Sequence, residues 1–413
     1  MRIRTLLLYL IGDRQAILDI AADRRALWVG LVFVLSAGFA REYDGHELLH
    51  EPWHLLIPLA ASLISSTLLF VLACGKILIR REGRPTAWST YRSFLTLFWM
   101  TAPLAWLYAI PYERFLSEVD AIQANLWTLS LVAVWRVVLM VRVVAVITNI
   151  HWVLSAPLVM LFADGVALAA AFVMPIPIIS GMGGIRHSDG EKLIHCVAIA
   201  IRILGSLSLS IWLIGSIVSW IIARPSWAAA GRPVSGSIAG ILVLAAASLL
   251  VWLPILPFTQ KEQHLRWAVE REMRSGRIDE GLDLMSAHSP GDFPPHWEPP
   301  PRVGYRESTP HILDIVEALQ RRNDAGWVRS RYIDAFRRFM GEEYAFYDPD
   351  ECKRGEELKR AALIISQIPE GPAIAADHQK TIQEALREGF PRFDDEERKS
   401  LELILQTARK PRP

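Results

Sequence analysis

A string with the residue types of a zinc site occupies residues 46–50 of this 413-residue chain. It reads HELLH, and a third histidine, His54, follows four residues later. On an α-helix, histidines at positions i and i+4 lie on one face and can bind zinc, while the intervening glutamate serves as general base. The metal ligands would then be His46 and His50, with Glu47 as the base, in a membrane zinc metallopeptidase.

The residues around this string argue against a regular helix. Gly45 precedes it and Pro52 follows it closely, and both residue types destabilise helix interiors. The string also falls in a short polar segment between two apolar runs. We therefore prefer a polar loop with interfacial histidines, expect no metal or other cofactor, assign no catalytic residue, and keep the peptidase as an alternative.

Two charged residues lie inside long apolar runs. Arg136 belongs to the run at 125–147 and Asp164 to the run at 152–177, and a short polar break separates the two. Each run is long enough to cross a bilayer as a helix. Both charges lie about 14 residues from a turn near Ile150, so an antiparallel hairpin places them at one depth, roughly 21 Å from that turn.

A charge at this depth is costly unless it is paired, and such residues usually face protein or a water-filled cavity. We therefore expect Arg136 and Asp164 to form an intramembrane ion pair that clamps the hairpin. A transporter or channel component that uses these charges is the alternative, although the sequence contains no inverted repeat that would support it.

The composition is typical of a helical membrane protein. Hydrophobic residues make up 52% of the chain, and the mean hydropathy is +0.25, which is high for a soluble protein. Many of the 15 tryptophans flank apolar runs, as in the aromatic belts at membrane interfaces. The net charge of +1 gives no reason to expect a nucleic-acid partner, and the three cysteines have neither disulfide nor zinc spacing.

These patterns predict an all-α chain in which a polytopic membrane domain precedes a helical soluble domain. Residues 1–25 have the spacing of an amphipathic cytoplasmic segment, and residues 26–257 hold about six to eight spans. We place the bilayer-crossing segments at Ala26–Ala40, His54–Ile79, Ser93–Ile110, the two arms of the hairpin, Ile194–Ala223 and Ser237–Pro257.

Loop charges give conflicting orientations. Residues 76–92 are basic and therefore predicted cytoplasmic, whereas the loops at 41–51 and 111–122 are acidic. Seven crossings from an inside start leave the C-terminus outside, yet the segment after the last span is rich in Lys and Arg. One explanation is that an apolar segment does not cross the membrane, and Ser93–Ile110, with its internal Pro103, is the first candidate. A second is that the hairpin divides at Asp164-Gly165 and gains a crossing. A third is that the loop charges do not report the orientation of this chain. We expect a plasma (inner) membrane protein with both the N-terminus and the C-terminal domain in the cytoplasm.

Residues 258–413 are charged and have helical periodicity, with a proline-rich connector at 289–303. We find no Walker A string and no nucleophile elbow in the chain. The leading hypothesis is therefore a non-enzymatic membrane anchor or scaffold, which contacts the lipid bilayer and recruits a cytoplasmic protein partner through residues 258–413.

Overall fold

The computed structural model describes residues 2–79, 86–173, 189–228, 238–301, 310–322, 324–341, 351–388 and 393–409. Within these ranges all the regular secondary structure is helical, which confirms the all-α prediction. The chain divides into two compact units. Unit 1 holds the described residues up to Gln263, and unit 2 holds those from His264 onward, so the boundary falls within one helix.

The helices of unit 1 are α1 (Ile3–Leu10), α2 (Arg14–Ala22), α3 (Ala26–Glu42), α4 (Leu56–Ile79), α5 (Ala87–Trp99), α6 (Glu118–Thr148), α7 (Trp152–Val173), α8 (Asp189–Ile222) and α9 (Ala239–Leu250). Helix α10 (Trp252–Arg274) contains the boundary between the units. Unit 2 continues with α11 (Ile278–Ser286), α12 (Ile312–Gln320), α13 (Gly326–Gly341), α14 (Glu351–Gln367), α15 (Gly371–Glu388) and α16 (Asp395–Ala408).

Six helical segments of the described chain are long and apolar enough to cross a membrane. They are Pro52–Ile79, Ala87–Arg114, Glu118–Thr148, Trp152–Val173, Lys192–Ile222 and Ala239–Arg274. This set is compatible with the predicted multi-pass membrane protein. The first predicted span corresponds to α3, which has 17 residues and is not among the six.

The segment Ala87–Arg114 is broken in the middle. Helix α5 ends at Trp99, and a 3-10 helix follows from Ala102 to Ala109, because Pro103 has no backbone N–H to continue the α-helical pattern. This segment is also the most enclosed of the six, with 72% of its apolar window buried. Irregular backbone is tolerated at membrane depth where protein rather than lipid surrounds it.

The N-terminal segment packs into the core of unit 1. Apolar side chains of α1 and α2 join the same buried cluster as α3, α5 and α6. Asp13 caps α2 by accepting from the backbone N–H of Ala16 at 2.8 Å. The indole of Trp135 donates to Leu10 O at 2.9 Å, and Arg142 donates to Gly12 O at 3.1 Å, so α6 supplies donors to the turn between α1 and α2.

Hydrogen bonds bring one set of loops together at one end of the unit 1 bundle. Arg114 contacts Asp44 at 3.0 Å and Glu262 at 2.9 Å, and Gln263 donates to Asp44 O at 2.7 Å. We call this the acidic end, defined by residues 43–51, 109–117 and 260–263.

A second set of loops forms the basic end, defined by residues 76–79, 147–151 and 220–228. Lys76 donates to Ala223 O at 2.5 Å, and the N–H of Ser226 donates to Thr148 O at 2.9 Å. Helix α4 therefore begins at the acidic end, directly after residue 51, and finishes at the basic end.

Unit 2 has its own buried cluster, built from α10 through α16 and from aromatic side chains of the connector. Arginines tie its helices together: Arg360 binds Asp314 at 2.6 Å and Glu317 at 2.9 Å, and Arg329 binds Glu370 at 2.9 Å. Residues 290–292 of the predicted connector form a short 3-10 helix, and its residues 302 and 303 lie outside the described residues.

Tyr9 offers a test of how the N-terminal helices are held. Its side chain is fully buried, and its hydroxyl donates to Leu97 O of α5 at 2.5 Å. Because Tyr9→Ala leaves a large cavity, it should lower the free energy of unfolding by about 3–5 kcal/mol. Tyr9→Phe loses only the hydroxyl and should cost about 1–2 kcal/mol, the penalty for an unpaired buried carbonyl.

The measurement is denaturant unfolding of the detergent-purified chain, followed by tryptophan fluorescence. Ile11→Ala is the matched control, because the Ile11 side chain is 73% exposed and should change stability little. A Tyr9→Ala variant as stable as the Ile11 control would contradict the packing of α1 in the core.

Candidate functional site

The HELLH string is not helical in the structure. Helix α3 ends at Glu42, residues 43–50 form turns, and a 3-10 helix begins at Pro52. His46 and His50 therefore do not share a helix face as the metallopeptidase arrangement requires. The interruption falls where the sequence places Gly45 and Pro52.

The turns create a different grouping, which we call the histidine cluster: Glu42, His46, Glu51 and His54. The rings of His46 and His54 stack with centroids 3.6 Å apart and planes within 15° of parallel. His46 Nε2 lies 3.4 Å from Glu42 Oε2, and His54 Nε2 lies 3.2 Å from Glu51 Oε2. One ligand atom from each of Glu42, His46 and His54 can be chosen so that all lie within 4.8 Å of one another.

His50 belongs to a separate pair, in which its Nδ1 contacts the carboxylate of Glu47. The Glu47 side chain is buried, whereas that of His50 is exposed. The two histidines of the string are thus divided between two groups. Sequence reasoning identified His54 as a third histidine but missed Glu42, although its position four residues before His46 on the end of α3 was a usable signal.

A buried glutamine of α10 holds the loop that carries these residues. Gln260 is 4% exposed. Its side-chain amide donates to Tyr43 O at 3.1 Å and to His46 O at 3.2 Å, and its carbonyl accepts from the N–H of Leu48 at 2.6 Å. Because one side chain satisfies three backbone groups of the loop, the turns at 43–48 are fixed relative to α10.

Further contacts hold the same loop at its other side. The buried Gln263 binds Asp44 through the backbone, and Arg114 binds it through the carboxylate. The hydroxyl of Tyr43 donates to Ala109 O at 3.1 Å. Burial raises the pKa of the Tyr43 phenol to about 12, so the hydroxyl remains a donor at neutral pH.

Arg136 lies against aromatic side chains in the core of unit 1. Its guanidinium is 5.5 Å from the centroid of the Phe98 ring, within the range of a cation–π interaction. Arg136 therefore contacts α5, the first part of the broken segment that follows α4.

Asp164 faces a different helix. Its carboxylate accepts from Ser208 Oγ of α8 at 2.5 Å, and a side chain at Gly205 would meet this carboxylate and Leu168. Among the described residues no ion pair joins Arg136 to Asp164, in contrast to the sequence expectation. The hairpin itself is present, since α6 ends at Thr148 and α7 begins at Trp152.

Helix rotation explains the difference. Counting residues from a turn fixes the depth of a side chain, but each residue turns the side chain by about 100° around the helix axis. Helix α7 packs mainly against α8, which directs Asp164 away from Arg136. Arg202 of α8 likewise has a local acceptor, the carbonyl of Ala171, at 3.0 Å from its Nε.

No protein-family model, no curated protein and no solved structure matches this chain. Its function is therefore inferred from the chemistry and geometry of its own residues.

Gln260→Leu should loosen the loop selectively. The leucine retains the bulk of the glutamine but leaves the three backbone groups of residues 43–48 unpaired, at about 1–3 kcal/mol for each buried group. We expect amide hydrogen exchange in residues 43–51 to become at least about 10-fold faster, since 1.4 kcal/mol corresponds to a factor of ten. Hydrogen-exchange mass spectrometry on the detergent-solubilised chain measures this rate.

Gln123→Leu is the control, because Gln123 is exposed at the start of α6. Unchanged exchange at residues 43–51 in the Gln260 variant would show that the loop does not depend on this side chain.

Proposed function

We propose that this chain is a membrane anchor that displays its C-terminal helical unit to a protein partner. The distribution of exposed apolar side chains carries the proposal. Among the described residues, exposed large hydrophobic side chains lie between Ile3 and Phe258, with Leu363 as the one exception. Such an extensive apolar surface is stable where lipid covers it, whereas unit 2 has the surface of a water-exposed domain.

The interior of unit 1 supports anchoring rather than transport. Its described core is filled by apolar side chains of α1, α2, α3, α5 and α6. Arg136, Asp164 and Arg202 each contact a neighbouring helix within the unit. Intramembrane charges held in this way are explained by helix packing and need no substrate path.

The acidic and basic ends of unit 1 also indicate how the chain is oriented in the membrane. Helix α10 reaches the acidic end at Gln260, so the chain leaves unit 1 on the face that carries the loop at 43–51. The expectations of an external loop at 41–51 and of a cytoplasmic C-terminal domain are therefore incompatible. Lys76 and Arg224 belong to the basic end. The sequence at and after the end of α4, residues 76–92, is also rich in Lys and Arg, although its residues 80–85 lie outside the described residues.

Charge asymmetry favours a cytoplasmic basic end. The basic residues that follow the last span are a weaker guide, because they have acidic partners close by. Arg266 and Arg274 bind Glu270, and Arg271 and Arg277 bind Glu272. A folded domain is also translocated largely regardless of its charge. In this proposal the N-terminus is cytoplasmic in a plasma (inner) membrane, and unit 2 lies on the opposite side.

Cysteine labelling tests the orientation. Gly45 and Gly326 have open space at the position of an added side chain, and Ala87 is exposed at the start of α5. Gly45→Cys and Gly326→Cys, in a background with the native cysteines replaced by alanine, should react with an impermeant maleimide in intact cells. Ala87→Cys should react only after permeabilisation. If Gly45→Cys reacts from outside but Gly326→Cys reacts only after permeabilisation, the proposal that residues 45 and 326 lie on the same side of the membrane is rejected.

Site-specific photocrosslinking tests the recruitment of a partner. A photoreactive residue in place of Leu363 or of the exposed Arg331 should yield a protein adduct of discrete mass in native membranes, because both positions lie on the surface of unit 2. Leu207 of α8, which is 67% exposed, is the lipid-facing control and should give no such adduct. If neither unit 2 position produces a protein adduct above this control, the docking role is rejected.

A further inference from the structure

We propose that Glu42, His46 and His54 bind one divalent transition-metal ion, with Zn²⁺ as the ion that fits best. The site joins the last residue of α3 to the 3-10 helix that leads into α4. It differs from the HELLH metallopeptidase arrangement, because His54 and Glu42 replace His50 as the partners of His46.

The separations suit a tetrahedral metal. Bonds of about 2.0–2.1 Å at tetrahedral angles place neighbouring ligand atoms about 3.4 Å apart. His46 Nε2 and Glu42 Oε2 are separated by 3.4 Å, and the full set of three ligand atoms spreads over at most 4.8 Å. Rotation of a histidine side chain would bring the third donor atom to this separation, and all three side chains are partly exposed, so an ion can enter from solvent.

The donor set selects the class of metal. Two imidazoles with a carboxylate suit zinc and its neighbours, whereas calcium and magnesium prefer sites made wholly of oxygen ligands. The rings of His46 and His54 lie side by side with centroids 3.6 Å apart. Because the nitrogen lone pairs lie in the ring planes, one ring would turn out of this stack when both histidines bind one ion. Three protein ligands leave a fourth position for water.

Glu51 would orient a ligating histidine of this site without binding the ion itself. Its carboxylate lies 3.2 Å from His54 Nε2, within hydrogen-bond distance, and 4.0 Å from His46 Nδ1. A carboxylate at the second ring nitrogen of a ligating histidine fixes the tautomer and the ring orientation. The contacts of Gln260 and Arg114 with the loop hold its backbone in place, as a preorganised site requires.

The test is zinc titration of the full chain, purified in detergent without a polyhistidine tag and stripped with a chelator, against a chromophoric zinc competitor. The wild type should bind one equivalent. His46→Ala, His54→Ala and Glu42→Gln should each weaken binding by at least about 100-fold, and Glu51→Gln by about 10-fold, as expected for a supporting carboxylate. Visible absorption of the Co²⁺-loaded protein should show the intense bands of a tetrahedral site, and His54→Ala should remove them.

Two histidine variants serve as controls. His50→Ala and His151→Ala should bind zinc as the wild type does, because His50 pairs with Glu47 and His151 is exposed beside Trp152 at the basic end. Size-exclusion profiles equal to that of the wild type establish that each variant is folded, and His54→Gln provides a closer isostere if His54→Ala aggregates. Absence of stoichiometric zinc, or loss of binding in His50→Ala with retention in His54→Ala, overturns the proposal.

Discussion

A backbone carbonyl without a hydrogen-bond partner costs several kcal/mol in hydrocarbon, and this constraint shapes unit 1. At several places where a helix ends or is interrupted, a side chain from another element supplies a donor. Tyr9 donates to Leu97 O in the last turn of α5, Lys76 donates to Ala223 O just after α8, and Ser216 donates to Pro157 O at the proline inside α7. Polar side chains within the apolar helices of unit 1 are therefore explained by the backbone carbonyls that they pair, without a catalytic role.

The broken segment after α4 shows how this constraint organises the core. Pro103 makes a continuous helix unfavourable, so the segment is stable only where other helices surround it. Helices α1, α2, α3 and α6 provide that enclosure, and α3 approaches so closely that a side chain at Gly30 would meet Trp99 at 2.9 Å. Helices α1 and α2 therefore pack around the broken segment, whose irregular backbone would be unfavourable in contact with lipid.

The same principle operates at the acidic end, where residues 43–51 have no helix to pair their backbone groups. Gln260 and Gln263, three residues apart on one face of α10, pair with backbone groups of the loop at 43–48 that lie 212 and 219 residues earlier in the chain. This anchoring holds His46 near His54. A metal ion there would add a bond between the ends of α3 and α4 that does not depend on burial of apolar surface.

The sequence by itself determined the helical class, the apolar segments, the hairpin break between Thr148 and Trp152, and the interruption near Pro103, because these follow from local periodicity and backbone chemistry. Tertiary structure alone decided which side chains meet. Residue counting predicted one depth for Arg136 and Asp164, but their partners depend on helix rotation and on neighbours distant in the chain. Gln260 and Leu48, 212 residues apart, show why. Long-range packing places the donor beside its acceptor, and local sequence patterns do not predict which distant residues will pack together.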